Sequence, residues 1–231
     1  MGANSDNPIL NDVAEGEDVS NTFTCLHFSW YCRSATSGHT VPPAIHPLTL
    51  TQQNKKRTNH HQMVPYTSKE VTLHQDEYRN LCDAFEEFFL WMDAKLRQYL
   101  PQLHEEIAMY ADILPGNSAS PSYPFSGFVI NFNVTTKVHR DHGDLHACLV
   151  LPIGRFKGGE VCMAEPGLVT RIQSGDIIIF KSWRISHFNL PYTGKRASLV
   201  CHSDRAGLTW VKDRMGWKGH SYFDDEDAND E

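Results

Sequence analysis

From His74 to Tyr99, apolar residues recur three and four apart: Tyr78, Leu81, Phe85, Phe88, Phe89, Met92 and Leu96, with Leu100 just beyond. Glu77, Arg79, Asp83, Glu86, Glu87 and Lys95 fill the intervening positions. That rhythm predicts one long helix with a single buried face, an aromatic stripe packed on a sheet. Pro101 stops it and suits the first position of a second helix running to Ile113, with Leu103, Ile107 and Tyr110 turned inward. Pro115-Gly116 ends that helix. Residues 116–126 are rich in Pro and Ser and read as a connector, or as a loop lining a substrate mouth. Beyond them the period changes. Short apolar runs at 127–134, 145–151, 159–163, 168–172, 176–180, 183–188 and 197–202 are separated by Gly and Pro. Seven short strands so punctuated predict a sandwich or barrel.

The first 22 residues are polar and acidic and are expected to be a disordered leader. Residues 23–67 mix aromatics with a Pro/His stretch, predicting an irregular segment around the domain with one short strand at Thr22–Cys25. Lys55-Lys56-Arg57 reads as a solvated loop, or else as a phosphate contact or nuclear-import signal. The chain is expected to form one domain over residues 23–223, helical at about 70–114 and β-structured at about 125–204. Residues 224–231 form an acidic tail.

The formal charge of −7 is uneven along the chain. Six acids lie in the tail and five in residues 1–20; without both ends the remainder carries +4. Nucleic-acid binding is permitted by that balance but not demanded. Six cysteines form no C-x-x-C pair, which fits a reduced, intracellular setting. No apolar signal region or membrane-length run is present, so a soluble protein is expected. Cys25, His27, Cys32, His39, His46, His60 and His61 match no zinc-ligand spacing and are expected to be scattered loop and surface residues.

Chemistry concentrates in Thr136–His146. His139 and Asp141 stand two apart directly after a strand-like run, so both side chains project to one side of an extended segment and can grip one cation. His187, after the apolar strand 176–180, is a third donor. Two histidines and one carboxylate form the facial triad suited to Fe(II), with open positions for a co-substrate and O₂. His142-Gly143-Asp144 is a second H-x-D, three residues on. Downstream, Arg196 and Ser198 share a strand face. The guanidinium fork can hold a carboxylate by two hydrogen bonds and the hydroxyl can add a third.

The order H-x-D, Gly158-Gly159-Glu160, Gly175-Asp176, His187, Arg196-x-Ser198 resembles the Fe(II)/2-oxoglutarate dioxygenases. More narrowly, Asn131 to Asp204 is similar to the TET/JBP branch, nearest its short single-domain fungal members. The resemblance implies an α+β protein whose core is a double-stranded β-helix, of jelly-roll or cupin-like form, with the long helices packed on the major sheet. It implies Fe(II) on His139, Asp141 and His187, and 2-oxoglutarate held at its far carboxylate by Arg196 and Ser198, with Asn131 beside it. O₂ consumption would accompany decarboxylation to succinate. It further implies action on methylated DNA, with the base flipped into the site.

Asp144 corresponds to an acid that accepts a hydrogen bond from the cytosine amine, though an adenine N6 amine would satisfy it equally. His202 and Asp204 fall where the family presents residues to the base; a histidine capping a strand is the other reading. The expected reaction is oxidation of 5-methylcytosine to hydroxymethyl-, formyl- and carboxylcytosine. N6-methyladenine demethylation, protein side-chain hydroxylation and a non-catalytic binding module are the alternatives. A nuclear, monomeric protein is expected. Asp204–Tyr222 interleaves basic and aromatic residues, which suits either a nucleic-acid backbone or an element closing the barrel.

Overall fold

The structure, a computed structural model, describes residues 9–11, 25–44 and 64–220. Lys55–Arg57, His46, His60, His61, Thr22 and the acidic tail lie outside the described residues. In chain order come strands β1 (Ile9–Asn11), β2 (Cys25–Tyr31) and β3 (Tyr66–Thr67), and helices α1 (Lys69–Leu73), α2 (Gln75–Tyr99) and α3 (Pro101–Ala111). The β core follows: β4 (Gly127–Phe132), β5 (Val134–Thr136), β6 (Cys148–Gly158), β7 (Val161–Met163), β8 (Leu168–Thr170), β9 (Ile178–Phe180), β10 (His187–Asn189) and β11 (Tyr192–His202). Helix α4 (Gly207–Asp213) closes the described chain.

Two antiparallel sheets make the core. The major sheet has the order β3-β2-β4-β11-β6-β9, and the minor sheet β10-β7-β8. Side chains on a strand alternate between faces, and the packing clusters show which face is which. Phe128 and Ile130 of β4, Leu149 and Leu151 of β6, and Leu199 and Cys201 of β11 pack with Phe89, Met92 and Leu96 of α2. That is the outer face of the major sheet, covered by the stripe read from the sequence. Each such buried side chain contributes about 1.5–3 kcal/mol. Cys148, Val150 and Val200 point the other way, toward Val161 and Met163 of the minor sheet. The space between the sheets is therefore lined by the alternate residues, Asn131, Arg196 and Ser198 among them. The helix-covered major sheet facing a smaller one is the expected α+β arrangement.

Several boundaries differ from those expected. Residues 127–134 form two strands rather than one, because Asn133 takes a positive φ of 51° and breaks the pleat. The strands expected at 145–151 and 197–202 are 11-residue elements at 148–158 and 192–202, a hairpin paired from Cys201↔Leu149 to Tyr192↔Gly158. Gly154 and Gly194 face backbone carbonyls across that ladder, and an added Cβ would sit 2.3 Å from one. Only His187–Asn189 of the expected 183–188 is strand, since Ser182 and Arg184 take part in a turn instead. The aromatic stretch expected to be irregular pairs as β2 on β4, and its Phe28 joins the outer core. Ile9–Asn11, within the expected leader, pairs in parallel with Val134–Thr136. No helix among the described residues is long and apolar enough to cross a membrane.

Candidate metal centre

His139 lies outside the regular strands, yet its backbone pairs with that of His187 in an antiparallel bridge. The bridge extends the minor sheet beyond β10 and sets both imidazoles on one side. The ring centroids stand 4.3 Å apart. Each Nδ1 donates to a carbonyl two residues earlier: His139 to Lys137 at 2.8 Å and His187 to Ile185 at 2.9 Å. These contacts place the proton on Nδ1 and turn both Nε2 lone pairs inward. There they meet one carboxylate. His139 Nε2 is 3.6 Å from Asp141 Oδ1, and His187 Nε2 is 3.5 Å from Asp141 Oδ2.

The donor atoms of the three residues lie within 4.8 Å of one another, the only such group among the described residues. Burial pushes the His187 pKa down to about 4, so its lone pair is available at neutral pH. Phe180 packs edge-on to that ring with centroids 4.7 Å apart, joining the inter-sheet core to the site. Two neutral imidazoles and a carboxylate converging in this way fit a first-row divalent cation, with nitrogen donors that magnesium and calcium do not favour. The overlapping motif does not compete: His142 is exposed, and Asp144 is turned elsewhere.

A clasp surrounds the ligands. Arg140, between His139 and Asp141, donates to Glu165 at 2.5 Å and to Ser186 Oγ at 2.9 Å. Glu165 also accepts from the backbone amide of Ser186 at 2.6 Å and from its hydroxyl at 2.7 Å. These bonds hold the Glu165 carboxyl down at about 2. The neighbour of the first two ligands is thus tied to the neighbour of the third. No motif marked Glu165, because it lies in the turn between β7 and β8, far from both in sequence.

Arg196 is 5% exposed. Its guanidinium lies over Phe156 at 5.2 Å and Tyr192 at 5.4 Å, and Nη1 donates to Gly159 O at 3.4 Å. A Cβ on Gly159 would come within 2.9 Å of Nη1, and its φ of +76° also favours glycine. No carboxylate among the described residues pairs with this cation, and both Arg196 Nε and Tyr192 Oη are buried without a partner. Burial lowers its pKa from the ordinary guanidinium value. A buried guanidinium beside an unsatisfied phenol fits the far carboxylate of a dicarboxylic co-substrate. Ser198 stands two residues along, in register with Asn131 across β4. Tyr192 and Phe156 escaped the sequence reading, since nothing local distinguishes them from core aromatics.

The residues expected at the base divide. Asp144, 9% exposed, accepts from Ser182 Oγ at 2.7 Å. Its other oxygen is 3.3 Å from His202 Nδ1, off the line of a hydrogen bond. His202 Nε2 meets Ser29 Oγ at 3.0 Å. Asp204 corrects the expectation. It is 1% exposed, and its carboxylate accepts from the amides of Cys32 at 2.5 Å, Arg33 at 2.9 Å and Ala206 at 3.2 Å. Those bonds consume its acceptors, so it ties β2 to the end of β11 instead of facing a base. Trp210, in the basic-aromatic stretch, is 9% exposed and packs with Cys32, Tyr110 and Leu114, so α4 closes one end of the core.

The comparisons agree with this geometry. Residues 55–205 match the TET/JBP family model, the oxygenase domain of the 2OGFeDO superfamily. The match begins well before the first motif legible in the sequence and includes α2 and α3. A "Bifunctional helicase and thymine dioxygenase JBP2" from Trypanosoma cruzi (strain CL Brener) is 26% identical over 142 residues, 58% of this chain and 13% of that protein. The chain thus spans a small part of that relative's length. Among solved structures, "NgTET1 in complex with 5mC DNA" aligns with a TM-score of 0.50 at 17% identity, covering 64% of this chain and 58% of that one. At that identity the likeness speaks for the fold, the double-stranded β-helix. With the family model covering most of the chain, this protein belongs to the TET/JBP family of Fe(II)/2-oxoglutarate dioxygenases.

Proposed function

We propose that this domain oxidises the methyl group of a methylated base in DNA, with 5-methylcytosine as substrate. The observation that carries the reading is Asp144. It is fastened by Ser182 and its backbone amide bonds to Asp141 O at 2.9 Å, so a base acceptor is coupled to the metal-binding turn. One carboxylate oxygen keeps a lone pair without an aligned partner, the acceptor that an exocyclic amine on a base edge needs. The relative named as a thymine dioxygenase and the neighbour crystallised with 5mC DNA support a base as substrate.

His139, Asp141 and His187 would hold Fe(II), with their Nδ1–H bonds fixing the rings. Arg196, Ser198 and Tyr192 would hold the far carboxylate of 2-oxoglutarate, with Asn131 alongside. Iron with 2-oxoglutarate supplies the oxidising chemistry. Each turnover converts 5-methylcytosine, 2-oxoglutarate and O₂ to 5-hydroxymethylcytosine, succinate and CO₂. Further turnovers lead to the formyl and carboxyl products. The protein's part is to hold the co-substrate, exclude water with the Phe156–Tyr192 wall and present the flipped base to Asp144. No protein nucleophile or general base is required.

A second reading rests on the same residue. Asp144 would accept from adenine N6 as readily as from cytosine N4, and oxidation of N6-methyladenine would end in demethylation. Incubation with Fe(II), 2-oxoglutarate and oligonucleotides carrying either base, followed by nucleoside mass spectrometry, separates the two. Turnover on a peptide with no change in either base would remove both.

A further inference from the structure

The turn that carries Asp141 is closed by the amide of Asp144 on the carbonyl of Asp141 at 2.9 Å. Two exposed arginines flank it, each laid on an aromatic ring. On one side Arg33 lies over Tyr31, with its guanidinium carbon 4.4 Å from the ring centroid. It reaches the turn so closely that a Cβ on Gly143 would sit 3.2 Å from its Nη2. On the other side Arg205 lies over Trp183 at 5.1 Å, and its own amide donates to Gly143 O at 2.8 Å. The Trp183 platform is fixed in turn, since its indole N–H donates to His146 O at 3.0 Å. Ser182, the residue before it, accepts from the Asp141 amide at 3.1 Å and bonds Asp144.

The nearby acids are occupied. Asp141 faces the two histidines, Asp144 is bound by Ser182, and Asp204 accepts backbone amides besides approaching Arg33 Nε at 3.7 Å. Glu106 is the exposed acid at this edge, and it lies 3.4 Å from His146. Exposed His142, Lys181 and Arg184 add donors on the same pair of turns. Pinning a guanidinium on an aromatic face spends its rotamer freedom in advance and leaves the planar fork for phosphate oxygens.

We infer that Arg33 and Arg205 form a clamp for the phosphodiester backbone on either side of the nucleotide whose base enters the metal site. This rests on the base-oxidation reading for its substrate, but it is a statement about nucleic-acid binding and is measured separately from chemistry. The spacing suits a splayed nucleotide: two cations astride one turn grip the strand on both sides, while the turn presents Asp144 toward the extruded base. A protein or peptide substrate would have no use for two preset phosphate forks.

The test uses the full chain loaded with Mn(II) and 2-oxoglutarate. Binding of a fluorescein-labelled duplex carrying one 5-methylcytosine is followed by anisotropy across a salt series. Wild type is expected to bind with an affinity that falls steeply with salt. Arg205→Glu should weaken binding at least tenfold and flatten the slope of log affinity against log salt by roughly 0.9, the share of one phosphate contact. Arg205→Lys should recover the slope but only part of the affinity, and Arg33→Gln should flatten the slope as Arg205→Glu does. Trp183→Leu should weaken binding with no change in formal charge. Wild-type affinity and slope in Arg205→Glu would overturn the clamp, as would the absence of salt-dependent binding by wild type. Salt-dependent binding that Arg205→Glu abolishes, with no base oxidised by wild type, would leave the clamp standing and sink the base-oxidation reading alone.

Discussion

His139 and His187 are joined backbone to backbone: the amide of His139 donates to the carbonyl of His187 at 3.1 Å, and the amide of His187 returns the bond at 2.9 Å. Partners in such a pair project their side chains to the same side of a sheet. Two ligands 48 positions apart in sequence are therefore set side by side by the ladder itself, and Asp141 needs only one turn of chain to reach them. Loss of one imidazole should remove the site without unpairing the strands. His187→Ala is expected to lose metal by more than the roughly 10- to 100-fold typical of an outer-shell partner. Mn(II) titration checks this, and succinate formation should vanish with it. Wild-type Mn(II) affinity in that variant would dismiss the triad.

The clasp of Arg140, Glu165 and Ser186 acts on the metal through the ligands it orients. Glu165→Ala is expected to lower Mn(II) affinity by roughly 10- to 100-fold, and Glu165→Asp to restore part of it. Melting temperature separates the roles. A merely structural glutamate would lower the melt and leave the metal affinity of the folded protein unchanged.

Arg196 should govern the co-substrate and not the metal. Charge-assisted bonds are worth about 1.5–3 kcal/mol, so Arg196→Met is expected to raise KM for 2-oxoglutarate by roughly 10- to 100-fold with Mn(II) binding intact. Arg196→Lys should recover only part, because an ammonium lacks the planar fork. Tyr192→Phe is expected to give a smaller rise in the same KM. An unaltered KM in Arg196→Met would place the far carboxylate elsewhere.

Asp144 and Asp204 should part company under mutation. Asp144→Ala is expected to abolish base oxidation while Mn(II) and 2-oxoglutarate still bind; full activity in that variant would dismiss Asp144 as the base acceptor. Asp204→Ala strips three backbone amides of their acceptor, and stranding buried donors costs about 1–3 kcal/mol each. Its signature is a lowered denaturation midpoint in a protein whose residual folded fraction keeps its KM for DNA.

Local rules reach a defined distance in this chain. The α2 stripe was legible because a 3.6-residue period is written in neighbouring positions, and Pro101 opens α3 where the sequence puts it. The strands were legible as runs but not as lengths. Their ends depend on which partner continues the ladder: β11 extends to Tyr192 because β6 keeps pairing with it as far as Gly158. His139, Asp141, His187 and Arg196 could be named from motif order, since their chemistry is restricted to few residue types.

What the sequence by itself determined is therefore the helical face, the strand-rich half and the identity of the metal donors and the arginine. Tertiary structure alone decided the rest. Asp204 looked like a substrate residue until β2 brought the amides of Cys32 and Arg33 back to its carboxylate. Glu165 and Tyr192 looked like any turn acid and any core aromatic until folding set them against Ser186 and Arg196. The reason is physical: a side chain's period and turn chemistry depend on its neighbours in sequence, whereas the use of its polar atoms depends on which distant backbone arrives beside them.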